Sequence, residues 1–342
     1  MHVIALDDDE VAAILGTADE LARRHDTVES AEFQRESRTL AQELPRRLRA
    51  ELNDFRLTEP CGALVVTGLP VDDADLGPTP LERRRPAVPA PSLRQDLAFF
   101  LIGSVLGDPI GWATQQDGLI MHDVYPVEEY RDDQIGYGSE QQLSWHTEDA
   151  FHPLRTDYLG LMCLRNPDLT ETTVADIADV RLDRELREAL ARPRFRILPD
   201  DAHRGPADGA EQGGDDRVTR LRRQAARRVT EALGRPEPQS VLFGDPDDPY
   251  LVIDPYYMQG VHEAAEQAVL TEATAAIDAA LTDLVLRPGD LCFLDNYRVV
   301  HGRRPFRARY DGTDRWLRRL NIARDLRRSR ECRRSAADRV IY

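Results

Sequence analysis

Leu15, Leu21, Leu40, Leu44 and Leu48 recur among charged residues over 8–57, with no strong breaker before Pro45. That spacing predicts helix. GALVVTGL (62–69) is instead a continuous apolar, β-branched run closed by Gly68 and Pro70, and it predicts a buried strand. Residues 71–92 are rich in Pro, Asp and Arg and read as a surface loop. LRQDLAFFLIGSVLG (93–107) returns to helical spacing and stops at Gly107, a candidate C-cap.

From about residue 111 the texture changes to short β-like runs: GWAT, LIMHDVYP, LSWHTEDAF and DYLGLMCLR. ADIADVRLDRELREALA (175–191) predicts helix, and DAHRGPADGAEQGGDDR (201–217) has the Gly, Asp and Ala content of a mobile loop. SVLFG (240–244) and YLVID (250–254) read as strands, and 262–286 as the clearest helix of the chain. DLCFLDN (290–296), YRVVHG (297–302) and WLRRLNIAR (316–324) return to β. Many short strands that do not alternate strictly with helices predict an α+β fold, a jelly-roll double sheet flanked by helices. The expected organisation is one domain over 1–342. Residues 1–110 form a mainly helical part, 111–325 the jelly-roll core, and 326–342 a C-terminal tail.

Composition narrows the function. The 342 residues are 41 % hydrophobic, enough for a sizeable core, and no apolar run approaches the roughly 18 residues of a membrane span. The formal charge of -16 argues against nucleic acid as a partner. The N-terminal MHVIALDDDEVAAIL carries acid where a signal peptide needs base, so a soluble cytoplasmic protein is the default. All 45 basic residues are arginine, which excludes Schiff-base, pyridoxal-phosphate and P-loop lysine chemistry. Cys61, Cys163, Cys292 and Cys332 are scattered, without a C-x-x-C pair, and fit neither a zinc site nor a disulfide framework.

The candidate chemistry begins with histidine. His146 lies in LSWHTEDAF with Glu148 two residues on, and on a strand positions i and i+2 share a face. His301 follows the apolar YRVV in the C-terminal β region. Two histidines and one carboxylate on a β scaffold are the facial triad of non-haem Fe(II) oxygenases, which leaves positions open for cosubstrate and O2. Zinc is a weaker reading, since it would favour three protein ligands plus water, or a cysteine-rich set. H-x-E alone is common in an acidic chain, so the context after His301 matters. Arg315 lies 14 residues beyond it, at the start of the next β run, and Arg319 four further on. Both can fork onto carboxylates, unless Arg315, Arg318 and Arg319 form only a basic surface strand. His122 is ambiguous, and His152, before Pro153, reads as a turn residue.

HTEDAFHPLRTDYLGLMCLRNPD (146–168), together with the His301 to Arg319 spacing, resembles the clavaminate synthase-like Fe(II)/2-oxoglutarate-dependent oxygenases. Within them it is most similar to the free-amino-acid hydroxylases of peptide-antibiotic biosynthesis. The resemblance runs from about Gly111 to Asp325, and Glu148, where most such oxygenases have aspartate, is a mark of the group. It implies a double-stranded β-helix with His146, Glu148 and His301 as iron ligands. Arg315 and Thr172 would hold the distal carboxylate of 2-oxoglutarate. Arg319 would take the substrate α-carboxylate, and Gln115 and Glu148 its α-amine. Asp254 matches one of two acids that grip a guanidinium. The second is missing, with Tyr256 two residues on, which weakens the case for arginine itself and leaves an arginine-like amino acid (arginine, enduracididine or citrulline) as the expected class. The 201–217 stretch matches a lid.

The expected reaction is hydroxylation of an unactivated carbon, C3 before C4, with Fe(II) as metal and 2-oxoglutarate and O2 as cosubstrates. Lysine hydroxylation and desaturation remain within the same resemblance, and a homodimer stays among the oligomeric alternatives. Two readings lie outside it. Acid/base hydrolysis by paired carboxylates is nearly uninformative among 61 acidic residues, and G-Y-G-S-E (136–140) lacks the last glycine of a nucleophile elbow. A double-sheet ligand-binding protein would show no iron-dependent turnover.

Overall fold

The computed structural model describes residues 1–203 and 216–342. The expectation of a lid over 201–217 falls mostly on 204–215, outside the described residues. Strand β1 (His2–Ala5) leads into three helices: α1 (Asp8–Ala22), α2 (Ala31–Leu40) and α3 (Arg46–Thr58). The single helical pattern divides because local caps divide it. Asp7 and Glu10 form a reciprocal capping box on α1, and the Ser30 hydroxyl caps α2. Pro45 occupies the N-cap of α3, where a missing N–H costs nothing, so it starts a helix rather than ending one.

Strand β2 (Ala63–Thr67), the short α4 (Asp73–Leu76) and α5 (Leu93–Leu106) follow. Then come β3 (Asp108–Trp112), β4 (Met121–Val124), β5 (Leu143–His146), β6 (Tyr158–Arg165) and β7 (Thr172–Asp176). Beyond α6 (Arg184–Leu190) and α7 (Arg217–Gly234) lie β8 (Leu242–Gly244), β9 (Pro249–Leu251) and α8 (Ala264–Ala280). The chain closes with β10 (Thr282–Leu284), β11 (Leu291–Asp295), β12 (Val299–Arg303), β13 (Trp316–Ala323) and β14 (Val340–Ile341).

Two sheets make the jelly roll. The larger runs β1-β2-β11-β6-β13-β3-β14 with β4 also on β13, and the smaller runs β10-β7-β12-β5. The larger sheet is buried on both faces, which explains its near-continuous apolar strands. Leu64, Val66, Leu291 and Phe293 pack with α5 and the N-terminal helices, while Ala63, Val65, Cys292 and Leu294 face the inter-sheet core. Helix α5 is correspondingly apolar around most of its girth, with Phe99, Phe100 and Ile102 fully buried. A second core of α6, α8 and the segments 195–197 and 251–258 backs the smaller sheet.

Three departures have physical causes. The helix expected over 175–191 is confined to Arg184–Leu190, because Ala175 and Asp176 belong to β7, which pairs with both β10 and β12. The 262–286 helix stops at Ala280, and Thr282 bonds the Val174 carbonyl as the chain turns into β10. Helix α7 escapes the pattern reading because it is arginine-rich and buries only Thr219 and Leu221. The first 110 residues, read as mainly helical, also supply β1 and β2 to the larger sheet.

Candidate active site

A cavity of about 1250 Å³ lies between the sheets, lined by β5, β6, β7, β12 and β13. His146 at the end of β5 and His301 on β12 are direct register partners across an antiparallel pair, so their rings sit side by side with centroids 4.7 Å apart. Gly302 permits this closeness. A Cβ there would meet the Leu143 carbonyl oxygen at 2.6 Å and the Thr173 hydroxyl at 2.9 Å. Nδ1 of His146 donates to the Ser144 carbonyl at 2.8 Å, which turns the Nε2 lone pair into the cavity.

Glu148 reaches the same point by a different route from strand alternation. β5 ends at His146, and Glu148 lies in the turn beyond it. Its backbone is bracketed by Asn296, whose side chain accepts from the Glu148 N–H at 2.8 Å and donates to the Glu148 carbonyl at 3.0 Å. Oε2 lies 3.7 Å from Nε2 of His146 and 3.4 Å from Nε2 of His301. Ligand atoms of all three residues lie within 4.8 Å of one another. Burial opposes charge on Glu148, but Arg319 and the two imidazoles hold its carboxyl well below the usual range. Burial likewise opposes a charged His146, yet Glu148 and Asp254 raise it to about 9, whereas burial lowers His301. An acidic point with two imidazole nitrogens and one carboxylate fits a divalent cation with open coordination positions.

On one side of this triad stands Arg315, 6 % exposed, whose Nη2 donates to the Thr172 hydroxyl at 3.1 Å. Its Nε has no partner and no acid among the described residues pairs with it, while burial pulls its pKa down to about 10. Arg303, two residues after His301, is also buried and donates only to the carbonyls of Gly138 and Gln141 among the described residues. Two buried guanidinium groups without a carboxylate suit an anionic ligand. A merely basic surface strand is ruled out. Arg318 points to the opposite face of β13, where it is buried against Asp96 and Asp123.

On the other side Arg319 donates to Glu148 Oε1 at 2.8 Å, Gln115 Oε1 at 2.7 Å and His122 Nδ1 at 2.8 Å. His122, ambiguous in the sequence, is thus part of the site. Burial and Arg319 hold it neutral, its pKa lowered to about 3, with Nε2 donating to the Leu119 carbonyl. Asp254 is buried at the same cavity, its Oδ1 taken by the N–H groups of Tyr256 and Tyr257, and burial raises its pKa. Tyr256 lines the cavity but is 43 % exposed, at the rim. Asp149, Asp200 and His203 form a further cluster in the cavity wall that sequence reasoning missed. Arg303 could have been found by alternation from His301. No spacing rule brings Asp200 or His203 to Asp149.

Residues 88–321 match the family described as Taurine catabolism dioxygenase TauD, TfdA family. The chain is 65 % identical to the enduracididine beta-hydroxylase of Streptomyces hygroscopicus, with all of both chains covered. It is 45 % identical to the L-ornithine/L-arginine 3-hydroxylase of Catenulispora acidiphila, again over the whole of both. Among solved structures it is similar to the non-heme iron oxygenase OrfP in complex with Fe, succinate and (3S)-hydroxy-L-Arg, with a TM-score of 0.90, 37 % identity and full coverage of both chains. OrfP is also solved with Fe and alpha-ketoglutaric acid, at a TM-score of 0.85, 36 % identity and coverage of 99 % of this chain and 100 % of that one. With its jelly-roll core and His-Glu-His centre, this chain belongs to the TauD/TfdA family of Fe(II)/2-oxoglutarate-dependent dioxygenases.

Proposed function

We propose that the chain hydroxylates an unactivated carbon, C3 in preference to C4, of a free arginine-like amino acid: arginine, enduracididine or citrulline. The observation that carries this reading is the polarity of the cavity. A guanidinium with no acidic partner among the described residues lies to one side of the triad, and the buried carboxylate of Asp254 lies close enough to His146 to raise its pKa. The names of the two relatives, which act on enduracididine and on ornithine or arginine, support the same substrate class.

His146, Glu148 and His301 would hold Fe(II), which with 2-oxoglutarate and O2 supplies oxidative decarboxylation to succinate and CO2 together with insertion of one oxygen atom into a C–H bond. The remaining chemistry belongs to the side chains. Arg315 and Thr172 fix the C5 carboxylate of 2-oxoglutarate. Arg319 pairs with the substrate α-carboxylate, and neutral His122 keeps that charge available by accepting from it rather than cancelling it. Gln115 and Glu148 accept from the α-ammonium. Asp254 accepts from the guanidinium or ureido N–H groups, with the Tyr256 ring at the rim. Holding both ends of the substrate chooses the carbon, because a displacement of about 1 Å changes which hydrogen lies nearest. Lysine is the second reading, since a lone Asp254 carboxylate can also pair with an ammonium.

The test is a screen of free arginine, enduracididine, citrulline, ornithine, lysine and asparagine with Fe(II), 2-oxoglutarate and O2, read by product mass. Addition of one oxygen to an arginine-like member is expected. Preference for lysine would replace the substrate, loss of two hydrogens would replace the reaction, and absence of any iron-dependent 2-oxoglutarate turnover would leave a binding protein.

A further inference from the structure

Asp149 follows Glu148 and is 3 % exposed, with φ of 49° in the left-handed region that non-glycine residues seldom occupy. Three side-chain nitrogens converge on its carboxylate. The indole N–H of Trp112 reaches Oδ2 at 2.7 Å, while the side-chain amide of Gln115 at 3.2 Å and Nε2 of His203 at 2.9 Å reach Oδ1. The imidazole is held at its far edge, where Nδ1 lies 2.8 Å from the Thr114 hydroxyl. Trp112 can only donate, so Oδ2 accepts, while Oδ1 faces the Gln115 amide nitrogen and His203 Nε2, which lie 2.9 Å from each other.

Gln115 is oriented from both of its ends. Its amide nitrogen faces the Asp149 carboxylate and its Oε1 faces the cavity, where it accepts from Arg319 at 2.7 Å. The reversed amide would set NH2 against Arg319, two donors with no acceptor between them. An α-ammonium is also purely a donor, and only the observed orientation receives it.

Resting on the proposed free-amino-acid substrate, we infer that Asp149 is a positioning residue. By locking the Gln115 amide oxygen-inward, it makes the site select an α-ammonium over an α-hydroxyl. Asp149 itself touches no substrate atom. A hydroxyl both donates and accepts and would tolerate either amide orientation, so the selectivity resides in the lock rather than in Gln115 alone.

Asp149→Asn tests this with little backbone cost, because asparagine accepts the left-handed conformation at least as readily. Its amide nitrogen would turn towards Gln115 and invert it. For L-arginine, or whichever screened amino acid the wild type uses best, KM should rise about 10- to 100-fold, the range for losing a hydrogen bond to a charged group. KM for the matching 2-hydroxy acid should change little, so the amine-to-hydroxyl preference collapses while KM for 2-oxoglutarate stays put. The same two ligands should lose their difference in thermal stabilisation of the metal-loaded enzyme, a readout independent of turnover. Adding Gln115→Glu should restore the preference, since a carboxylate offers an acceptor oxygen in both directions. An unchanged preference in Asp149→Asn, or a loss that Gln115→Glu leaves unrepaired, overturns the inference. Wild-type turnover in the screen reports separately on the substrate reading.

Discussion

Thr172 and Arg303 stand where β7 and β12 are hydrogen-bonded to neighbours on both sides, and Arg315 immediately precedes β13, which is paired with β6 and β4. Asp254, Tyr256 and Asp200 stand outside every strand, on segments that connect elements. The two ends of one cavity therefore differ in how they hold their charges. A sheet interior cannot shift without breaking a ladder, and it suits the end where we propose that the invariant cosubstrate binds. Connecting segments exchange side chains without disturbing the sheets, and they suit the end that, on the same proposal, selects the amino acid. The charges differ as well. At the first end burial lowers the pKa of two guanidinium groups, and at the second it raises the pKa of two carboxyls.

The contrast breaks most visibly at Arg315. Removing a buried charged partner costs roughly 2–5 kcal/mol, so Arg315→Ala should raise KM for 2-oxoglutarate by about 30-fold to several thousandfold. The KM for the amino acid should move far less. Equal effects on both, in steady-state assays varying each ligand, would mean that the two ends are not separate. Asp254→Ala should do the converse by about 10- to 100-fold, the cost of a lost hydrogen bond to a charged group. Hydroxylation should fall far more than uncoupled 2-oxoglutarate decarboxylation, and full activity on every cationic and ureido amino acid would remove Asp254 from the distal end.

The smallest effect is a pH dependence at the substrate end. Burial pushes the Asp200 carboxyl up to about 6, against the pull of His203. The group is neutral below that pH and negative above it, so a cationic substrate gains affinity as pH rises from about 5 to 7. The kcat/KM ratio of arginine to citrulline should rise by about three- to tenfold over that interval, about the 1 kcal/mol that one added charge contributes through water. Neutral citrulline cancels the titration of every shared group, and Asp200→Asn should flatten the ratio. A flat ratio in the wild type would place Asp200 out of reach of the side chain.

How much could be read from the chain follows the same division. His301, Arg315 and Arg319 were legible because His301 follows an apolar β run and the two arginines lie at a characteristic distance after it, Arg315 one residue before β13. Glu148 was found for an incomplete reason: alternation put it beside His146, but the strand has ended, and Asn296, 148 residues away, holds the turn in place. Asp149, Asp200 and His203 carry no period and meet only through tertiary folding. Helix α7 was passed over because it is arginine-rich and buries only Thr219 and Leu221, so its apolar positions are few.

Glu148 divides its two oxygens, Oε2 facing the imidazoles and Oε1 taking the Arg319 guanidinium. An amino acid whose carboxylate draws Arg319 away leaves more negative charge on Glu148 for the metal. Metal and substrate are then heterotropic partners joined through one carboxylate, and thermodynamic reciprocity makes the coupling equal in both directions. Metal titrations with and without the amino acid, and amino-acid titrations with and without metal, should return the same free energy.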